Sequence, residues 1–172
     1  MQCALSDLHA LDARSKDRRR RIEGEANTFA ANLLMPPKRI RQFVGAAGVS
    51  LETLVTMARD FDVSKEALAR AFVAAHREPA AVVVSRGGRV ERFYRHEDFP
   101  FLPLAIGKAL SPDSIAAKAL ESRAISDIEE VEADTWLSEH DADRTLLLTE
   151  QVLGQQHGYA LTLLQAELDD EE

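Results

Sequence analysis

The sequence predicts an α+β fold, and three observations predict it. Apolar residues recur at helical spacing through the first half, β-branched runs take over after Pro79, and Gly87-Gly88 separates two of those runs as a hairpin turn would. Helices are expected first, with a helix-turn-helix-like pair among them, and a small, mostly antiparallel sheet with one helix comes after them. The division is expected at residues 1–78 and 79–172. A chain of 172 residues is long enough to bury a core, and 45% apolar with 29% charged residues is an ordinary globular composition.

The helices come first in the chain. Over residues 22–34, Ile22, Ala26, Phe29, Ala30 and Leu33 keep the spacing of one buried helical stripe. Pro36 and Pro37 remove donors and force the preceding backbone extended, so this helix stops near Met35. "KRIRQFVGAAG" is a short helix with Ile40, Phe43 and Val44 inward, ended by Gly45 and Gly48. Ser50 caps a helix that turns Leu51, Leu54, Val55 and Ala58 inward. "DFDVS" is a turn, and Ser64 caps a second helix with Ala67, Leu68, Ala71 and Phe72 inside. That succession is the helix-turn-helix pattern.

Past Pro79, "AAVVVS" and "RVERFYR" form the hairpin, and "FPFLPL" is held extended by its own prolines. Ser111 and Pro112 are the expected cap and first position of a helix. "ISDIEEVEADTWL", "RTLLLTEQVLGQQ" and "HGYALTLLQAEL" are expected as three further strands, with Gly154 and Gly158 at a bulge or turn. No internal repeat or low-complexity linker interrupts the chain.

The net charge of −8 argues against whole-surface attraction to nucleic acid or anionic lipid. Charge is unevenly placed: "RSKDRRRRI" is basic, while residues 127–143 and the tail "ELDDEE" are acidic. The run Arg18 to Arg21 reads as a solvated segment, with a nucleic-acid contact as the alternative. Cys3 is the single cysteine, so no internal disulfide forms and a reducing, cytoplasmic setting is expected. Residues 1–15 are too polar for a signal peptide, and no apolar run is long enough to span a bilayer.

Glu25 is the residue that asks for an explanation. At roughly 100° per residue it lies about 40° from Phe29 and about 60° from Ile22, on the border of the apolar face, with Asn32 beside it. A carboxylate there needs a cation, a hydrogen bond or a metal. An arginine from 18–21 would supply the first.

"EANTFAANLLMP", together with the later "LVTMARDFDVSKEALARAF", resembles the ImmA/IrrE family of zinc metallo-endopeptidases, well over roughly residues 20–95 and loosely beyond. The resemblance implies a zincin-like peptidase domain in which Glu25 is the third protein ligand of zinc. The other two ligands would be histidines of an upstream HExxH helix, which also brings the general base. It further implies limited cytoplasmic proteolysis of a regulator, commonly a helix-turn-helix repressor of a mobile element or stress response.

This sequence departs from that pattern. Its histidines are His9, His76, His96, His140 and His157, no two of them four apart, and "HEDFP" breaks the motif at Pro100. His9 with Glu25 would make only two ligands. The expectation is a catalytically incomplete chain with no catalytic residue, Glu25 as its one metal-ligand position, and no tight zinc of its own. Met1 falls where the missing helix would end, so either the start lies further upstream or the chain is a remnant that lost catalysis. Without that helix the apolar stripe of 22–34 would lack one packing partner.

The alternative function is a non-catalytic regulatory module that binds a helix-turn-helix repressor or antitoxin-like partner. A third is DNA binding through residues 50–75 and the arginines, although "KEALARAFVAAHR" has few side chains suited to base edges. A protein, rather than DNA or a membrane, is the expected partner. Cys3 has no neighbouring base, and "SRGGR" is too short for a phosphate loop.

Overall fold

The computed structural model describes residues 21–22, 25, 29–119 and 123–169. Cys3, His9, Arg18 to Arg20, Ala26 and the final acids Asp170, Glu171 and Glu172 lie outside the described residues. The chain divides into two compact units, 1–36 and 37–172.

In the first unit, residues 29–34 are helical, as are Arg21, Ile22 and Glu25. The helix ends as the prolines require: Met35 N still donates to Ala31 O at 2.7 Å, and Pro36 and Pro37 have no N–H to continue the ladder. The stripe expected to be buried is exposed at Ile22 (53%), Phe29 (71%) and Leu33 (70%). Periodicity marks a face fit for burial, but burial needs a partner surface, which periodicity does not supply.

The second unit opens with three helices, α1 (Pro37–Ala47), α2 (Leu51–Asp60) and α3 (Lys65–Ala75). Pro37 sits at the first position of α1, where its missing N–H costs nothing. Gly48 closes that helix at φ +82°, donating to Val44 O at 2.8 Å. Both expected serine caps are present: Ser50 Oγ accepts from Thr53 N, and Ser64 Oγ from Ala67 N at 3.1 Å. Between them Asp62 takes φ +53°, which makes the turn tight. Replacing Ser64 by alanine removes one satisfied donor at the start of α3. A loss of about 1 kcal/mol in urea unfolding is expected, and no change would mean that the cap carries nothing.

Among the described residues the sheet has five antiparallel strands, β1 to β5 in chain order with the ranges that follow, arranged β2-β1-β5-β4-β3. Strands β1 (Ala80–Arg86) and β2 (Arg89–Arg95) make the expected hairpin, with Gly87 and Gly88 both at positive φ, as a two-residue type I′ turn demands. A four-residue helix, α4 (Ile115–Lys118), precedes β3 (Glu129–Glu130), and another, α5 (Glu139–Ala142), precedes β4 (Thr145–Gly154). The strand β5 (Tyr159–Leu168) closes the order.

Both faces of the central strands are covered. On one face Ala81, Val83, Val152 and Leu164 pack with Phe99, Leu102, Trp136 and Leu137 from the long connection between β2 and β4. On the other, Val82, Val84, Leu161 and Leu163 pair across β1 and β5 and are buried. Helix α2 contacts β4, and α3 contacts β1 and β2. Two-sided burial explains why "AAVVVS" is a continuous apolar run instead of an alternating one.

Two local expectations need correction. Ser111 and Pro112 do not start a helix; Ser111 O instead accepts from both Ser114 N and Ser114 Oγ, which forms a turn. Ser114 is the cap, its Oγ accepting from Ala117 N. The segment "ISDIEEVEADTWL" contributes only Glu129 and Glu130 as strand. The chain then turns through a 3₁₀ helix at Ala133–Thr135, which carries Trp136 and Leu137 into the core at 3% and 5% exposure. Burying the indole overrides the β-propensity of the sequence before it.

Candidate functional site

Glu25 lies on the helical stretch of the first unit, and its Oε1 is 2.9 Å from Arg21 Nε, one turn earlier. Both side chains are largely exposed, at 66% and 81%. The charge-pair reading of Glu25 therefore has a named partner, Arg21. An exposed pair at this spacing holds an orientation more than it adds stability.

A zinc site of the kind the resemblance implies needs three donors converging at about 2.0–2.3 Å from the metal. The described residues of the first unit include no histidine or cysteine beside Glu25. Those residues do not assemble the donor set.

The described histidines lie in the second unit. His76 ends α3 with its ring stacked on Phe72 at 4.8 Å. Burial lowers its pKa, against an opposing pull from Glu78, whose Oε2 lies 3.8 Å from Nε2. His96 Nδ1 accepts from Asp98 N at 3.2 Å and stands with Glu97 and Asp98 in one small cluster. That cluster lies in "HEDFP", where both acids are exposed and the hydrogen bond belongs to a turn. His140 is exposed on α5, and His157 is exposed at φ +60° before β5. His9 lies outside the described residues.

The helix-turn-helix pair is engaged by the sheet. Glu66, in the first turn of α3, receives Arg92 through both oxygens, at 2.7 Å from Nε and 3.1 Å from Nη2. Tyr94 Oη donates to Glu66 Oε1 at 2.9 Å. Arg70 lies over the Tyr94 ring at 6.0 Å from its centroid. A forked arginine–carboxylate pair fixes direction as well as distance, so the polar side of α3 is oriented against β2. Burial pushes the Tyr94 phenol up, and the hydrogen bond to Glu66 pushes it further.

Two polar side chains that periodicity does not single out organise the interior. Glu150, in β4, is fully buried; it accepts from Ala116 N at 2.7 Å, from Trp136 Nε1 at 2.9 Å, and from the backbone of Ile115. Gln151 points to the opposite face. Its Oε1 accepts from Leu51 N at 2.6 Å, and its Nε2 donates to Glu52 Oε2 at 2.9 Å and to Ser126 O at 3.1 Å. The signal for both was a Glu-Gln pair inside the apolar run "LLLTEQVLG".

The segment that carries Glu25 and the helices that follow it fall in the one region for which sequence comparison finds a counterpart. Residues 4–72 match the family model described as the IrrE N-terminal-like domain (Peptidase_M78). The matched region is thus similar to an ImmA/IrrE family domain, and it contains Glu25, α1, α2 and most of α3. It covers less than half of the chain and stops before the sheet, whereas the resemblance read from the sequence ran to residue 95. The family is one of zinc metallopeptidases. No curated protein matches the chain. Among the described residues, no helix is long and apolar enough to cross a membrane.

Proposed function

We propose that this chain carries the glutamate-helix portion of an ImmA/IrrE-like metallo-endopeptidase whose role is limited proteolysis of a transcriptional regulator in the cytoplasm, and that the 172 residues alone are catalytically incomplete. The observation that carries this reading is the family match over residues 4–72, which runs through "EANTFAANLLMP" in a sequence that has no HExxH. Glu25 would serve as the third zinc ligand once two histidines were supplied, and Arg21 would release it.

The test is a zinc titration against a chromogenic chelator, together with a cleavage assay on helix-turn-helix repressors. The purified chain is expected to show neither stoichiometric zinc at about nanomolar affinity nor cleavage. The coding frame upstream of Met1 is then read for an HExxH. If one is found, the extended protein is expected to bind zinc, and Glu25→Gln to weaken that binding by more than about a hundredfold, beyond the range for outer-shell groups. Tight zinc in the 172-residue chain, or an extended protein indifferent to Glu25→Gln, would overturn the proposal.

The exposed Ile22, Phe29 and Leu33 favour a second reading, a non-catalytic module that binds a helix-turn-helix regulator or antitoxin-like partner. The engagement of Glu66 and Arg70 by β2 supports a protein partner over DNA. Under this reading, a regulator that co-purifies with the chain is lost on Phe29→Asp.

A further inference from the structure

We propose that the cleft between helices α2 and α3 and the adjoining sheet is a binding site for a nucleotide-sized organic phosphate. The cleft is open to solvent, with a volume of about 930 Å³, within the range of small-molecule sites. It lies wholly in the unit 37–172, so the inference does not depend on the peptidase reading.

The charge of the cleft is the first reason. Arg59, Lys65, Arg92 and Arg123 all line it, and Glu66 is the one acid among its lining residues. That acid is already bonded to Arg92. Among the described residues, Arg59, Lys65 and Arg123 have no ion-pair partner. Four cations facing one acid is a sharp local reversal in a chain of net charge −8. Helix α3 also opens here at Lys65, so its dipole adds to the positive potential. A cleft with low-dielectric walls concentrates that field on whatever anion enters.

The shape of the site is the second reason. Val84, Leu161 and Leu153 stand in register across β1, β5 and β4 and line the cleft from the sheet side, and Ala58 lines it from α2. The cations come from four separate segments: the end of α2, the start of α3, β2, and the stretch after α4. Cations drawn from four segments onto one cleft suit a compact, multiply charged group better than an extended acidic chain, which would call for cations along one element. Gln155 and Gln156, between β4 and β5, add amides able to read polar edges of the ligand's body. An apolar floor beneath a cationic rim suits a flat organic body that carries phosphate.

Isothermal titration with ADP, inorganic phosphate and adenosine tests the site on the intact chain. ADP is expected to bind saturably at one site, phosphate more weakly, and adenosine not measurably. Raising the salt should weaken ADP binding. Arg59→Ala combined with Arg123→Ala should lower ADP affinity by at least about tenfold with thermal unfolding unchanged, and Lys65→Glu should do the same. Arg77→Ala, outside this cleft, should leave binding intact. The proposal is overturned if ADP shows no saturable binding, if adenosine binds as well as ADP, or if a hexaglutamate peptide binds more tightly than ADP. Binding that survives the folded double variant would overturn it equally.

Discussion

Glu150→Ala should be the most destabilising single change in this protein, at about 4 kcal/mol in urea unfolding. The wild-type carboxylate takes up three donors, Ala116 N, Ile115 N and Trp136 Nε1, in a place with no access to water. Removing it strands all three, at about 1–3 kcal/mol for each buried group left unpaired, and opens a cavity between β4, α4 and Trp136. A loss below about 1 kcal/mol would show that the donors find water or that the site collapses without strain.

The pH dependence carries a definite sign. Burial pushes the Glu150 carboxyl above its ordinary value of 4.5, while the indole and backbone donors pull the other way without cancelling it. An acid whose pKa is higher folded than unfolded stabilises fully below the unfolded value, and that stability is lost as pH rises through the folded value. Wild type should therefore lose its advantage over the non-titrating Glu150→Gln as pH climbs above about 4.5. A gap that widened with pH would contradict burial as the dominant cause.

Gln151→Leu is expected to cost about 2–3 kcal/mol, because one amide joins three parts of the unit. It holds the first N–H of α2 at Leu51, the carboxylate of Glu52 and the carbonyl of Ser126. Leucine conserves volume but leaves the fully buried Leu51 N without its acceptor. A second readout separates this loss from simple repacking. Burial alone would raise the Glu52 carboxyl, but its own backbone N–H, Gln151 and Ser50 together carry it below the ordinary range. In Gln151→Leu its pKa, followed by carboxyl NMR, should move up. An unmoved Glu52 alongside full stability would show that the bridge is dispensable.

Both changes fall on side chains whose importance the sequence hinted at only by oddity. Glu150 meets Ala116 across 34 positions, and Gln151 meets Leu51 across 100. Strand alternation by itself puts the two on opposite faces, but nothing local to "LLLTEQVLG" says which backbone donor each will find, or that both faces will be buried. The cleft behaves alike: Arg59, Lys65, Arg92 and Arg123 are unremarkable as surface cations in sequence, and only the fold gathers them. Of the conspicuous basic run at Arg18 to Arg21, Arg21 is the residue described, and it pairs with Glu25.

What the chain's own order of residues settled was everything governed by neighbours within a turn or two. The serine caps at 50 and 64, the proline stop at 36 and 37, the Gly87-Gly88 hairpin and the α+β succession depend on backbone sterics and short-range hydrogen bonds, which a few adjacent residues dictate. A resemblance to the ImmA/IrrE family was legible in the same way, as a run of side chains, although it was read over roughly residues 20–95 where the family model matches 4–72. Tertiary structure alone decided that Trp136 would be pulled inward out of an expected strand and that α3 would lock onto β2 through Glu66 and Arg92. Those outcomes turn on which surfaces meet, and burial free energy belongs to the pair of surfaces, never to one segment read alone.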